Sequence, residues 1–207
     1  MQETLLIIIL TVIFYLVGSI PTAYIILKLL HKKDITKEGS GNVGAMNSYD
    51  VSGSKKTGIL VFIIDLLKGV VPALFVLYVL HLNFEASFIP LVALVAGHNF
   101  SIWLKFKGGR GLATSAAIFF VLNYWVVVIW CFIYLISFLI KKNVHIDNTV
   151  ATILMPIVLL ILNSQGLKYF QYSGTSNGVF IMFCSIICVL ILMKHIAPIL
   201  SITNKNC

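Results

Sequence analysis

The sequence predicts an all-α polytopic membrane protein with about seven transmembrane helices, one or more of them short. Hydrophobic residues make up 59% of the 207 positions and charged residues only 11%, whereas roughly a quarter of the residues in soluble domains are charged. The apolar residues also form runs long enough to cross a bilayer, and short polar loops separate these runs. We therefore expect a single integral-membrane domain over residues 1–207, with no separate soluble domain.

The apolar runs define the predicted spans. The first run is too long for the core of a signal peptide, and Pro21 near its middle should kink it. The region after residue 140 is expected to be a polar loop, as is the region between residues 162 and 179. The predicted spans cover residues 4–30, 57–80, 87–104, 112–140, 149–162 and 179–193.

The run at residues 112–140 decides the predicted topology. If it crosses the membrane once, the lysines on its two sides face opposite compartments. If it turns back near Asn123, all clustered Lys and Arg residues share one side, and Lys168 alone lies on the other. The positive-inside rule favours the second arrangement. It gives seven crossings with the N-terminus outside and the C-terminus in the cytoplasm, and it makes residues 112–122 a short helix of about 16 Å.

Charge and cysteine placement exclude several classes of protein. The net charge of +8 comes from loops between apolar runs, which indicates membrane orientation rather than nucleic-acid binding. Three of the four cysteines lie inside apolar runs, and no Cys-x-x-Cys or Cys/His ligand spacing occurs. The sequence therefore predicts no metal and no nucleic-acid partner, and it makes no prediction about oligomeric state.

The most distinctive stretch is residues 105–114, which read K-F-K-G-G-R-G-L-A-T. Glycines let a backbone approach a ligand closely, and successive N–H groups in such turns form an anion-binding nest. A helix that begins just after the glycines would direct its positive end to the same place. The stretch therefore predicts a phosphate-binding loop at a membrane surface, and the alternative is a cationic loop whose glycines only form a tight turn. Its candidate residues are Lys107, Gly108, Gly109, Arg110, Gly111 and Thr114.

A second glycine-rich stretch, G-S-G-N-V-G-A-M-N, occupies residues 39–47. Three glycines, a hydroxyl and two side-chain amides offer neutral donors that suit a phosphate or an oxyanion. The alternative is a flexible turn. We call residues 39–44 the first glycine loop and residues 107–111 the second glycine loop. The candidate residues of the earlier stretch are Gly39, Ser40, Gly41, Asn42, Gly44 and Asn47.

Four ionisable residues complete the candidate site. Asp65 and Lys68 are three residues apart, so they share one face of a membrane helix, where charges usually meet a cavity or a partner. Lys68 is a candidate phosphate ligand, although the two charges could simply neutralise each other. His98 and His195 are candidate proton acceptors, with structural roles as the alternative. No Ser-His-Asp arrangement is visible, so we expect the acceptor hydroxyl to attack directly.

Both stretches resemble motifs of the bacterial acyl-phosphate:glycerol-3-phosphate acyltransferases, the PlsY family. Residues 40–50, S-G-N-V-G-A-M-N-S-Y-D, are similar to the family's S-G-N-x-G-A-T-N-x-x-R. Residues 97–114 are similar to its G-H-x-x-P-x-x-x-x-F-K-G-G-K-G-x-A-T. The likeness extends over about residues 18–152, and it includes the D-x-x-K-G that begins at Asp65.

The resemblance implies a seven-helix enzyme of the bacterial inner membrane whose active site faces the cytoplasm. Such an enzyme moves an acyl group from acyl phosphate to the sn-1 hydroxyl of glycerol 3-phosphate, giving lysophosphatidate in the first step of phospholipid synthesis. It needs no cofactor, and its partners are an acyl phosphate, a small phosphorylated or polar acceptor and membrane lipid. Ser40 is among the donor-side residues that the sequence preserves. Glycine-loop N–H groups with Asn42 or Asn47 would hold the oxyanion, and Lys107 with Arg110 would hold the leaving phosphate.

The sequence also departs from the family pattern. The Arg that closes the first motif is Asp50 here, the Pro of the second motif is Ser101, and the Asn expected after His195 is Pro198. These changes define two alternatives, a relative with a different acyl acceptor and a relative without catalysis that binds lipid or acts as a scaffold. A transporter is a third alternative, which Pro21 and the intramembrane Asp65 and Lys68 suggest. Asp50 bears most on which acyl acceptor the protein uses.

Overall fold

The computed structural model describes residues 2–164 and 175–203, and within these ranges every regular element is helical. The predicted loop at residues 163–178, including Lys168, lies largely outside the described residues, as does Cys207. The α-helices are α1 (Gln2–Ser19), α2 (Thr22–His31), α3 (Ala45–Ser52), α4 (Lys55–Leu74), α5 (Phe84–Asn99), α6 (Leu112–Lys141), α7 (Val144–Ser164), α8 (Asn177–Met193) and α9 (Ile196–Thr203).

Length and hydropathy confirm the prediction of a polytopic membrane protein. In the described part of the chain, five helical segments are long and apolar enough to cross a bilayer, and a sixth is obtained if α8 and α9, which meet at an angle of 48°, form one span. The count of seven crossings and the sidedness of the two termini stay predictions. The chain forms two compact units, Met1–Ile118 and Phe119–Cys207, while the single domain over residues 1–207 also stays a prediction.

In the first unit, the first predicted span is broken at Ile20 and Pro21, between α1 and α2. Helix α1 packs closely on α5. A Cβ on Gly18 would collide with the carbonyl of Leu94 in α5, and the Tyr15 hydroxyl donates to the carbonyl of Phe100 at 2.8 Å. Small residues at such a crossing let two membrane helices approach each other. This packing fixes the α1–α2 break beside the end of α5.

The stretch between the first two predicted spans was expected to be a polar loop, but it contains helix α3. The helix is short because Gly44 precedes it in an extended conformation and Gly53 ends it in the left-handed region, at φ 67°, where glycine carries no steric penalty. Ile35, Val43 and Val51 pack beneath this segment against Leu27 and Val61 of the flanking helices. The loop therefore has a small apolar core of its own.

In the second unit, one prediction is confirmed and one is wrong. Asn123 has non-helical dihedral angles (φ −159°, ψ 99°) inside α6, so the predicted interruption is present. The polar loop predicted over residues 141–148 is wrong, because α7 already begins at Val144. The Asp147 carboxylate accepts the Asn143 N–H at 3.0 Å and the Ser137 hydroxyl at 2.6 Å. The side-chain oxygen of Asn143 accepts N–H groups of the first turn of α7, so polar residues that had suggested a loop form the start of a helix.

Candidate phosphate and acyl-transfer site

The side chain of Asn47 holds the first glycine loop in place. Its amide nitrogen lies 3.0 Å from the carbonyl of Asn42 and 3.2 Å from that of Glu38, and its oxygen accepts the Ser40 N–H at 2.9 Å. Only 1% of Asn47 is exposed. Positive φ at Gly39 (60°) and Gly41 (69°) lets the chain wrap around this amide. Asn47 is thus committed to the loop, whereas Ser40 is exposed.

Three backbone N–H groups of the first glycine loop are engaged within it. Besides Ser40, the Gly41 N–H donates to the carbonyl of Glu38 at 3.0 Å, and the Asn42 N–H donates to the Ser40 hydroxyl at 3.4 Å. The next segment differs, because no side chain caps the first turn of α3 after Gly44. The first N–H groups of a helix have no intrahelical acceptor, and they attract anions. The helix start therefore suits an anion better than the loop itself.

The second glycine loop folds back against the end of α5. The Gly109 N–H donates to the carbonyl of His98 at 3.0 Å, and the Phe106 N–H donates to that of Ser101 at 2.8 Å. Lys105 and Phe106 both have positive φ, at 54° and 63°, which non-glycine residues seldom adopt. This tight path brings the loop against the start of α6.

The close packing explains why glycines occupy this loop. A Cβ on Gly109 would collide with the imidazole of His98 and would lie 2.9 Å from the carbonyl of Val43 in the first glycine loop. A Cβ on Gly108 would collide with the carbonyl of His98. The two glycine loops therefore meet at Gly109, and only a residue without a side chain fits there.

A buried ion pair lies directly below the meeting point. The Lys68 ammonium is 2.9 Å from the Asp65 carboxylate, and it donates to the carbonyl of Ile20 in the α1–α2 break at 2.7 Å. The Thr114 hydroxyl, at the start of α6, donates to the Asp65 carbonyl at 3.1 Å and lies 3.4 Å from Nδ1 of His98. The pair neutralises its two charges and also links α4 to the helix break.

These groups surround a small cavity of about 10 Å³, which is room for about one water molecule. The hydroxyls of Ser19 and Thr22 line it, and neither has a hydrogen-bond partner among the described residues. Neither residue was predicted from the sequence, although their position beside Pro21 in a membrane span was the available signal. The cavity lining joins residues of both glycine loops and three of the four ionisable candidates, namely Val43, Asp65, Lys68, His98, Gly108 and Gly109.

Lys107, Arg110 and His195 do not line this cavity. Lys107 is exposed at the surface of the second glycine loop. Arg110 is partly buried, and burial lowers the pKa of its guanidinium, but arginine keeps its charge in proteins. His195 belongs to the second unit, where it is buried and its Nδ1 donates to the carbonyl of Ile191 at 2.8 Å. Among the described residues, no cluster of His, Cys, Asp or Glu could hold a metal ion.

Known proteins similar to this chain share one family description. The family model of glycerol-3-phosphate acyltransferases matches residues 8–205. A glycerol-3-phosphate acyltransferase of Pelagibacter ubique is 36% identical over 157 residues, which are 75% of this chain and 80% of the relative. One of Endomicrobium trichonymphae is 37% identical over 184 residues, which are 89% of this chain and 85% of the relative.

Two crystal structures of PlsY, an integral membrane glycerol 3-phosphate acyltransferase, have a similar fold. The glycerol 3-phosphate form superposes with a TM-score of 0.78 at 32% identity, and the lysophosphatidic acid form with a TM-score of 0.76 at 31% identity. Each comparison covers 96% of this chain and 92% of the other. The likeness thus includes both glycine loops and the helices that hold them.

Proposed function

Because the chain belongs to the glycerol-3-phosphate acyltransferase family, we propose that it transfers an acyl group from acyl phosphate to the sn-1 hydroxyl of glycerol 3-phosphate, giving lysophosphatidate. The observation that carries this proposal is the meeting of the two glycine loops at Gly109, above Lys68. Two anionic substrates must come together in this reaction. The uncapped start of α3 beside the first glycine loop and the cations of the second glycine loop suit that requirement.

The proposed donor site is the second glycine loop. Lys107 and Arg110 would neutralise the phosphate of the acyl phosphate, and the Gly108 N–H would add a neutral donor. The start of α3, just after Gly44, would direct its positive end to the same anion. Lys107 is exposed and therefore accessible to a substrate, whereas Lys68 is held by Asp65, which favours a supporting role for Lys68.

The proposed step needs no covalent enzyme intermediate. The acceptor oxygen attacks the acyl carbonyl carbon, a new C–O ester bond forms, and the bond between that carbon and the phosphate oxygen breaks. The hydroxyl proton ends on His98, which lines the cavity, or on a phosphate of a substrate. Donors fixed before the reaction stabilise the oxyanion without reorganisation, and the hydrogen bonds of Asn47 keep the first glycine loop fixed in this way.

We place the protein in the bacterial inner membrane as a multi-pass enzyme, with both glycine loops facing the cytoplasm. The clustering of Lys and Arg in the loops that carry the site supports this orientation. A water-soluble acceptor would reach the site from that compartment, while the acyl chain stays in the membrane.

The test is phosphate release from palmitoyl phosphate by the purified protein, with and without glycerol 3-phosphate. We expect release to depend on glycerol 3-phosphate and to equal the lysophosphatidate formed. The variants Lys107→Met and Arg110→Met should each raise the KM for palmitoyl phosphate. A folded protein that releases no phosphate with any acceptor would overturn the proposal in favour of a catalytically silent relative.

A different acceptor is the second candidate function, and Asp50 is the observation that favours it. Asp50 is exposed on α3 at the position where the family motif has Arg. Two like charges 4 Å apart repel by about 4 kcal/mol at an effective dielectric constant near 20, so a carboxylate there would weaken binding of a phosphate dianion. The variant Asp50→Arg should then lower the KM for glycerol 3-phosphate at least tenfold. An unchanged KM would show that Asp50 lies away from the acceptor.

A further inference from the structure

The second unit contains a groove of about 570 Å³ that the proposed acyl transfer does not use. It runs along the crevice between the last three turns of α6 and the facing part of α7. Its walls are almost wholly apolar, and Ile136, Ile140 and Leu154 are among the exposed side chains that line it. Both helices are long and apolar enough to cross a membrane. The groove therefore opens to lipid.

The groove has one polar end, which Lys141 forms at the last residue of α6. Lys142 follows in the left-handed region at φ 52° and ends the helix. Both side chains are exposed, and neither makes an ion pair with a residue that the structure describes. The nearby carboxylate of Asp147 is fully buried, and its two oxygens accept hydrogen bonds from Ser137 and Asn143. It makes no ion pair with either lysine.

The dimensions of the groove suit one acyl chain. Its lining extends along α6 from Ile129 to Lys141, which is about 18 Å at a rise of 1.5 Å per residue. One leaflet accounts for about half of a hydrocarbon core roughly 30 Å thick. The groove thus reaches from a cationic end at the membrane surface to about the middle of the bilayer, as a lipid chain does.

We propose that the groove is a binding site for an anionic phospholipid of the surrounding bilayer, with an acyl chain between α6 and α7 and the phosphate at Lys141 and Lys142. Basic sites between membrane helices are known to take the head groups of anionic lipids. The unpaired lysines supply the charge complementarity, and the apolar walls supply the contact for the chain. This proposal does not depend on the acyl-transfer activity.

The test uses the full-length protein, reconstituted in bilayers of equal parts phosphatidylglycerol and phosphatidylcholine. After extraction in mild detergent, native mass spectrometry counts the lipids that each protein retains. We expect phosphatidylglycerol to be enriched on the wild type. The double variant Lys141→Ala/Lys142→Ala should lose most of this preference, since each lysine near an anionic lipid contributes about fivefold in affinity. The matched control is Lys55→Ala/Lys56→Ala, which removes two exposed lysines far along the sequence from the groove.

A second pair of variants tests the acyl-chain part of the site. Leu154→Trp fills the groove and should lower retention of both lipids, whereas Ile153→Trp changes an exposed neighbour that does not line it and should leave retention unchanged. Adding lysophosphatidate as a competitor distinguishes a reaction lipid from a bilayer lipid. The proposal is overturned if the Lys141/Lys142 variant keeps the preference, if Leu154→Trp retains lipid normally, or if lysophosphatidate alone is retained.

Discussion

At the scale of single residues, Gly109 is the position where the two glycine loops approach most closely. We predict that Gly109→Ala lowers kcat/KM for acyl transfer about tenfold or more. The added Cβ would collide with the imidazole of His98 and press on the carbonyl of Val43, so the loops must separate. Formation of lysophosphatidate by the purified variant measures the effect. Gly178→Ala is the control, since apart from its own helix and chain neighbours no described residue lies within 4 Å of a Cβ there, and equal losses in both variants would contradict the prediction.

Asn47 carries a second prediction at this scale. Asn47→Ala removes the partner of the Ser40 N–H and of the carbonyls of Glu38 and Asn42. Buried groups left without a partner cost about 1–3 kcal/mol each, less where water can reach them, so the free energy of unfolding should fall by about 2 kcal/mol. The KM for palmitoyl phosphate should also rise, because the loop no longer holds the start of α3 in place.

The control for Asn47 is Asn83→Ala, which removes a helix cap that accepts the Ala86 N–H at 2.8 Å. It should lower stability by about 1 kcal/mol and leave the KM unchanged. Urea unfolding in detergent and steady-state kinetics separate the two effects. An Asn47 variant that is less stable but has a normal KM would show that the amide serves stability alone.

At the scale of elements, the Asp65–Lys68 pair ties α4 to the break between α1 and α2. We predict that Lys68→Met destabilises the protein by about 3–5 kcal/mol, because it leaves the Asp65 carboxylate buried without its cation. The double variant Asp65→Asn/Lys68→Met should recover most of that loss. The carbonyl of Ile20 would still lack its donor, so recovery should be incomplete.

The chain offers a matched control for this pair. Lys37 lies 3.8 Å from Asp34 with the same spacing of three residues, but 80% of its side chain is exposed. Lys37→Met should therefore change the free energy of unfolding by less than about 1 kcal/mol. A double-mutant cycle by thermal unfolding measures the coupling. Independent effects of the two Asp65–Lys68 substitutions would contradict the proposed link.

The elements also show what the sequence can predict and what it cannot. Long apolar runs, Pro21 and Asn123 predicted the membrane helices and their interruptions, because hydropathy and backbone-breaking residues act locally. Helix α3 was missed because its residues are mixed in character, although Gly44 and Gly53 mark its two ends. The role of Asn47 was not predictable from sequence, because its amide reaches partners up to twelve residues away, and such contacts exist only after the loop has folded.

In the whole molecule, the family match covers both compact units, whereas the cavity and the groove each lie in one of them. The family match extends over residues 8–205, so it includes both compact units, whereas the cavity beneath the glycine loops lies wholly in the first. The groove with Lys141 lies wholly in the second. The first unit therefore carries the proposed chemistry of the polar groups, and the second carries the proposed lipid contact.

The last prediction concerns the topology of the whole chain. Starting from a variant without cysteine, single cysteines replace the exposed residues Lys56, Glu85 and Lys141, and intact bacterial cells are treated with a membrane-impermeant maleimide. If all clustered cations share the cytoplasmic side, Glu85→Cys should be labelled in intact cells, and Lys56→Cys and Lys141→Cys only after permeabilisation. Labelling of Lys141→Cys in intact cells would mean that α6 crosses once despite its interruption at Asn123. The chain would then have one crossing fewer, and the cationic end of the lipid groove would face the outer leaflet.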